Sequence, residues 1–288
     1  MSDRRSNYLL VGAGGLVGQH LREALSGRNM VATYHRAPPE GGVALDITQS
    51  DSARKLIART RPDVVLLAAA DPFVERCERE PGTTRLVNVE ATRVIAEATR
   101  SIGALLVVFS SEYVFDGTAG DYGESDERHP INEYGRQKVE VEDIALSSGR
   151  ALVCRTSGVF GADPDRKNFV LQLVDRLRAG GHFDVPTDQL ITPTYAPSLA
   201  RAVIELADAS HTGVFHVAGP RILARPDFAA MVVDAFSLPH DQIQGRATHE
   251  LGLAAARPLR CGLRVEKLRA TLKHDLTDPI SALRQMAS

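Results

Sequence analysis

The chain has 288 residues, 43% of them hydrophobic and 24% charged, with 34 basic and 36 acidic side chains and a formal charge of -2. This is ordinary globular usage, long enough to bury a substantial core in one large domain or two unequal ones. No net field draws such a chain to nucleic acid or to an anionic membrane, so a small-molecule partner is expected.

The N-terminal stretch MSDRRSNYLLVGAGGLVGQHL has basic residues before an apolar segment, but glycines interrupt it and no small-residue cleavage site follows. No apolar run is long enough to cross a bilayer. Cys77, Cys154 and Cys261 are odd in number, far apart and without metal-ligand spacing, which fits a reducing, cytoplasmic setting. Through the first half, strand-like runs alternate with helical periodicity. The strands are YLLV (8–11), MVATYH (30–35), DVVLLAAA (63–70), ALLVVFSS (104–111) and ALVCRTS (151–157), with helices near 16–26, 50–60, 83–101 and 133–147. Continuous Val/Leu/Ala runs mark strands buried on both faces. The expected fold class is therefore α/β, an NAD(P)-binding Rossmann fold with a doubly wound parallel sheet.

Beyond residue 157 the pattern is less regular. Helices are expected over 167–179, in TYAPSLARAVIELAD (194–208) and in RPDFAAMVVDAF (225–236), with a buried strand in GVFHVAG (213–219). The expected division is a cofactor domain over 1–157 and a smaller substrate lobe over 158–288, with the segment near 194–218 returning to the first domain.

The first strand runs into Gly12-Ala13-Gly14-Gly15-Leu16-Val17-Gly18 and then an amphipathic helix. Such a loop lets the backbone approach a pyrophosphate and presents a helix N-terminus to it. The spacing is G-x-x-G-x-x-G, with Gly12, Gly15 and Gly18 in the three roles and Gly14, Leu16 and Val17 completing the cofactor contact. At the end of the second strand, where an acid would bind the ribose 2′-OH of NAD, the chain has Thr33-Tyr34-His35-Arg36. Arg36, helped by His35, suits a 2′-phosphate, so NADP(H) is expected over NAD(H).

Tyr134 and Lys138 lie one turn apart at the start of a helix. A phenol with an ordinary pKa near 10 is a poor proton donor or acceptor at neutral pH, and a neighbouring ammonium favours its ionised form. Ser110 and Ser111 end the fourth strand of the regular pattern, at the carboxyl edge where such sheets bind ligands, so a serine hydroxyl can reach a substrate carbonyl.

These motifs, Gly12-x-x-Gly15-x-x-Gly18 with Ser111 and Tyr134-x-x-x-Lys138, resemble the extended short-chain dehydrogenase/reductases. More narrowly, SSEYVFDG (110–117), YGRQKVEVE (134–142), RTSGVFG (155–161), DQLITPTYAPSLARAV (188–203) and ARPLRCGL (256–263) resemble the dTDP-4-dehydrorhamnose reductase family over almost the whole chain. The resemblance implies a reductase acting on the C4 ketone of a nucleotide-activated 6-deoxyhexulose. It casts Tyr134 as proton donor, Lys138 as the contact to the nicotinamide ribose and Ser111 as the group orienting the carbonyl. It further implies Asp46 and Ile47 at the adenine, Ala68, Ala69 and Ala70 along the cofactor, and Glu112, Tyr113, Val114, Arg155 and Gln189 at the substrate.

The chain also departs from that pattern. Asp71-Pro72 stands where an Ala-Tyr-Thr segment is usual, Ile191 replaces a glycine, and Arg260-Cys261 replaces Asn-Ser. SSEYVFDGT (110–118) and FHVAGPRILARPDFAAMVVDAFSLPHDQI (215–243) also resemble the regulatory β subunit of methionine adenosyltransferase, which implies a cofactor-loaded, partner-binding alternative. Asp116, before a glycine, is read as a turn former, and Asn88 either as a backbone contact near the site or as a solvated helix residue. The acidic run over 120–130 reads as a solvated loop, with part of a lid or an interface as the alternative. The nine histidines show no metal-ligand spacing, and helices 83–101 and 133–147 offer a face for a homodimer.

Overall fold

A computed structural model describes residues 6–35 and 38–288. Elements alternate through the first half: β1 (Tyr8–Val11), α1 (Leu16–Ala24), β2 (Met30–Tyr34), β3 (Val43–Ala44), α2 (Ser50–Thr60), β4 (Val64–Leu67), α3 (Val74–Arg79), α4 (Pro81–Arg85), α5 (Ala91–Ser101), β5 (Leu105–Ser111), α6 (Glu133–Ser147) and β6 (Ala151–Thr156). The second half holds β7 (Val159–Phe160), α7 (Phe169–Arg178), β8 (Phe183–Pro186), β9 (Leu190–Ile191), β10 (Thr194–Tyr195), α8 (Ala196–Asp208), β11 (Gly213–His216), β12 (Leu223–Ala224), α9 (Arg225–Ala235), β13 (Ile243–Arg246), α10 (Glu266–Thr271) and α11 (Pro279–Ala287).

Seven strands form one parallel sheet in the order β11-β6-β5-β4-β1-β2-β3. Strand order reverses beside β1, the crevice position at which open α/β sheets bind ligands. Period two explains why whole strands are apolar: Tyr8 and Leu10 join a core cluster with Leu21 of α1, Leu25 just after it, and Leu199 and Val203 of α8, while Leu9 and Val11 join one with Leu56, Ile95 and Val141 of α2, α5 and α6. A third cluster, with Phe160, Leu173, Phe228 and Leu283, is the core of the smaller lobe. Helix α8 packs on α1, and β11 pairs with β6 in register Phe215↔Cys154, so this late segment completes the large sheet.

The helix expected over 83–101 is interrupted. Between α4 and α5 the backbone takes one π-helical turn over Leu86–Glu90. The cause lies in Asn88, buried within that turn. Its Oδ1 accepts from the Asp71 N–H (2.7 Å), and its Nδ2 donates to the Asp71 carbonyl (3.1 Å) and to Gln137 Oε1 (2.8 Å). A π turn re-aims one side chain without ending the helix, and such turns concentrate near functional sites. No helix among the described residues is long and apolar enough to cross a membrane.

Candidate active site

Glycine is required at two points of the loop after β1. Gly12 adopts φ +94°, and a Cβ there would sit 2.5 Å from the Ala69 nitrogen. At Gly18, inside α1, a Cβ would sit 2.0 Å from the Gly12 carbonyl oxygen. Both glycines therefore let α1 and the segment after β4 close on the loop. Gly14 and Gly15 are exposed, and a Cβ at Gly15 would meet nothing closer than 3.9 Å. Gly15 caps α1 without a side chain and no acid lies in the first turn, so the positive end of the helix faces an open mouth that fits a phosphate group.

That mouth opens into a cleft of about 560 Å³ lined by Gly15, Leu16, Val17, Ala68, Ala70, Ser111, Glu112, Tyr113, Tyr134 and Lys138, among others. Ala69 does not reach it, because its backbone is bonded to the Val11 carbonyl and packs on Gly12. Asp46 lies beyond β3 near His35 and accepts from the Thr48 N–H (3.0 Å) and hydroxyl (2.7 Å), which hold its carboxyl below the usual range. Ile47 is buried in the core beside α2. Arg36 lies outside the described residues.

The catalytic candidates share one wall. Ser111 ends β5, and its Oγ accepts from the Tyr113 N–H (3.2 Å) and donates to Glu112 Oε2 (3.0 Å). Asn132 caps α6 through the Gly135 N–H (2.8 Å), which places Tyr134 in the first turn beside that serine. The Tyr113 ring meets Tyr134 edge-on at 5.8 Å. Lys138 is buried, its Nζ 5.5 Å from the Tyr134 ring centroid and donating to the Phe109 carbonyl at 2.9 Å.

Burial dominates the electrostatics. It pushes the Lys138 ammonium down to about 8 and the Glu112 carboxyl up to about 7. The Tyr134 phenol is raised, first by burial and then by the adjacent Glu112, so the lowering expected from Lys138 alone is outweighed. At neutral pH Tyr134 keeps its proton.

Three expected substrate residues lie elsewhere. Val114 is wholly buried in the core beneath the turn. Arg155 is 3% exposed and committed behind the sheet: Nε and Nη2 each donate to Glu142 at 2.8 Å, and Nη1 donates to the Glu124 carbonyl at 3.2 Å. Its position follows from period two, since Ala151, Val153 and Arg155 of β6 share the face that α6 covers. Gln189 is buried in the small lobe, bonded to Thr248 and Arg225. Asp116 forms a turn, accepting from Thr118 and from the Tyr122 hydroxyl.

The structure adds residues that the sequence pattern did not mark. Glu75 of α3 accepts from the Ala254 N–H and from Arg257 Nη2 (both 2.8 Å), and the Asn132 Nδ2 donates to the Ala256 carbonyl (2.8 Å), so the late segment is latched across the first domain. Arg225 comes from α9. Both features are long-range pairings that no local spacing announces.

A switch-point crevice with a glycine-lined helix end, and a Ser/Tyr/Lys set at the carboxyl edge of the same sheet, define an NAD(P)-dependent oxidoreductase of the extended short-chain dehydrogenase/reductase class. Residues 6–288 match the RmlD substrate binding domain, and the chain belongs to that family. It is 32% identical over 95% of its length, and 96% of the relative's, to a protein of Haloferax volcanii named a probable low-salt glycan biosynthesis reductase. To the dTDP-4-dehydrorhamnose reductase of Burkholderia thailandensis it is 31% identical, over 94% of each chain. The methionine adenosyltransferase 2 subunit beta of Xenopus laevis shares 28% identity over 90% of this chain and 80% of its own. Among solved structures, the Bacillus anthracis dTDP-4-dehydrorhamnose reductase in complex with NADP superposes with a TM-score of 0.90 at 25% identity, over 98% of both chains.

Proposed function

We propose that the chain is an NADPH-dependent reductase of a nucleotide-activated 4-keto-6-deoxy sugar, similar to dTDP-4-dehydrorhamnose reductase. The observation that carries this reading is the placing of Ser111, Tyr134 and Lys138 on one wall of a cleft whose mouth is the Gly15-Leu16-Val17 helix end. NADPH, held along the glycine loop, Ala68 and Ala70, supplies the hydride. Tyr134, kept protonated by burial, gives its phenolic proton to the ketone oxygen, and the Ser111 hydroxyl, turning from Glu112, orients that oxygen. Lys138 binds the nicotinamide ribose and holds Tyr134 in place. In this reading the first 157 residues hold the cofactor and most of 158–288 holds the sugar nucleotide. The preference for NADP(H) rests on Arg36 and on the NADP seen in the Bacillus anthracis relative.

The test is the absorbance decay of NADPH when the protein meets a dTDP-4-keto-6-deoxyhexose. Tyr134→Phe is expected to lower the rate by roughly 10²- to 10⁴-fold while NADPH affinity changes little. A Tyr134→Phe variant with the wild-type rate sinks the mechanism. A second reading, a cofactor-loaded partner subunit, has support from the similarity to the methionine adenosyltransferase subunit. It predicts tight NADPH binding with no decay.

A further inference from the structure

The wall that carries Ser111 and Tyr134 holds one acid that the proposed chemistry leaves idle. Glu112 follows β5 in a tight turn, is buried and lines the cleft. Its Oε2 accepts the Ser111 hydroxyl at 3.0 Å, and the Ser111 Oγ accepts the Tyr113 N–H at 3.2 Å. A hydroxyl has one proton to give and two lone pairs to fill. With Glu112 ionised, that single proton is spent on the carboxylate and none is left for a ketone. With Glu112 protonated, its O–H donates to Ser111 Oγ, the Tyr113 N–H fills the second lone pair, and the Ser111 proton turns into the cleft. Ser111 also faces the Tyr134 phenol and favours its ionised form, so a path runs from Glu112 through Ser111 to Tyr134.

The groups around Glu112 decide which form it takes. Tyr134 of α6 and Tyr113 are neutral phenols, and the Cys261 thiol, which donates to the Glu112 carbonyl at 3.5 Å, is kept neutral by burial. Ser157, after β6, and Arg225 of α9 both favour the carboxylate. Burial outweighs them and pushes the carboxyl up to about 7, so acid and base forms are both populated near neutrality. Lys138, the buried cation on this wall, is occupied by the Phe109 carbonyl at 2.9 Å. A proton-exchanging group works best when its pKa lies near the working pH, and a phenolate formed beside a carboxylate is disfavoured.

We propose that Glu112 is the proton store of this site, a positioning residue that in its acid form turns the Ser111 hydroxyl toward the ketone and then refills Tyr134 through Ser111. The step balances. As hydride reaches the carbonyl carbon, the Tyr134 O–H bond breaks and the ketone oxygen takes the proton; Ser111 passes its proton to the phenolate, and the Glu112 carboxyl passes its own to Ser111. Glu112 is left as a carboxylate and regains a proton from water at the open cleft, so each turnover takes one proton from solvent. This rests on the reductase reading above and names where its proton comes from.

Two measurements test it. The first needs no turnover: carboxyl resonances of the protein labelled with ¹³C-glutamate are followed against pH, and the one missing in Glu112→Gln is assigned to Glu112. It should titrate near pH 7 in wild type and higher in Ser111→Ala, where the carboxylate has lost a donor. A midpoint near the ordinary glutamate value of about 4.3, or one that Ser111→Ala leaves unmoved, overturns the proposal. The second is the pH profile of NADPH oxidation with a dTDP-4-keto-6-deoxyhexose. Wild-type kcat should fall up to about tenfold per pH unit above about 7. Glu112→Gln, whose amide can still donate to Ser111 but has no proton to pass, should be on the order of tenfold slower with that limb gone, and Glu112→Asp should be slow with the limb kept. NADPH affinity should stay within about twofold in both variants, which shows that the cofactor site is intact. A limb that survives in Glu112→Gln assigns the proton to Lys138, held near 8, and the proposal fails alone. A wild-type protein that leaves NADPH unoxidised removes the reductase reading and the relay with it, whatever the Glu112 midpoint.

Discussion

Removing the Glu142 carboxylate probes the ionic cluster behind the catalytic strand. Glu142 is fully buried and accepts four hydrogen bonds: Arg155 Nε and Nη2 at 2.8 Å each, Arg128 Nη1 at 3.1 Å and the Ser110 hydroxyl at 2.6 Å. Burial alone would raise its pKa, but Arg155, Ser110 and Arg128 hold it below the usual carboxylate range. Glu142→Ala leaves Arg155 with the Glu124 carbonyl and His216 as its remaining partners. Stranding one member of a buried pair costs about 3–5 kcal/mol, and the orphaned Ser110 hydroxyl adds about 1 kcal/mol. Against a total stability of about 5–15 kcal/mol, Glu142→Ala should move the urea midpoint far down. Glu142→Gln keeps the shape and the Ser110 contact and should cost roughly half as much. The double variant Glu142→Leu/Arg155→Met should regain most of the loss, because an apolar pair of similar volume leaves no charge behind. The chain has no tryptophan, so urea unfolding is followed by circular dichroism and tyrosine fluorescence. Because the carboxyl is depressed, its contribution is present above the ordinary carboxylate range and lost as pH falls through the folded value, so wild type and Glu142→Gln should converge in acid. An alanine cost under about 1 kcal/mol, with no recovery in the double variant, would refute the reasoning.

Two further outcomes follow from the same geometry. His216 donates from Nδ1 to the Arg264 carbonyl (3.0 Å) and takes Arg155 Nη1 at Nε2 (3.4 Å), so the buried ring is neutral, pushed by burial from 6.5 to about 4. The unfolded chain takes up this proton first, so wild type should lose up to about 1.4 kcal/mol per pH unit from this group as pH falls from 6.5 toward 4. In His216→Gln that component of the slope should vanish, and an unchanged slope in acid unfolding would contradict the assignment. Gly18→Ala places a methyl 2.0 Å from the Gly12 oxygen and should cost about 1–3 kcal/mol in stability along with tenfold or more in NADPH affinity. Gly15→Ala, with open space around it, should lose affinity while keeping stability. Equal behaviour of the two variants in thermal melts and NADPH titration would discount the close approach at Gly18.

The parallel sheet was legible because each of its long strands is covered on both sides and so runs apolar without interruption, as in YLLV and VVLL. The glycine loop was legible because its steric demand is local. The π turn was not, since the Asn88 bonds that hold it reach Asp71 and Gln137, contacts with no trace in helical periodicity. Arg155 shows the opposite error. A motif placed it near the site, but strand parity sends its side chain to the α6 face, where Glu142 waits. The Tyr134 and Lys138 pairing was readable from a spacing of four, whereas the raised phenol depends on its burial and on Glu112 beside it, which no spacing announces.

The return of β11 to the sheet also sets an order of events during synthesis. When β6 leaves the ribosome, its outer edge has no partner, and the apolar face formed by Leu152 and Cys154 with α1 awaits α8. The whole of β7 to α8 must be made before that edge is paired. A growing chain that pauses between Ser157 and Gly213 therefore presents an open parallel edge and an uncovered apolar surface, the state most exposed to pairing with another chain. Cutting the chain after residue 157 leaves that edge unpaired and that face uncovered, so the sheet is not completed by the first 157 residues alone. It becomes a finished object only once the polypeptide has passed through the other lobe and come back.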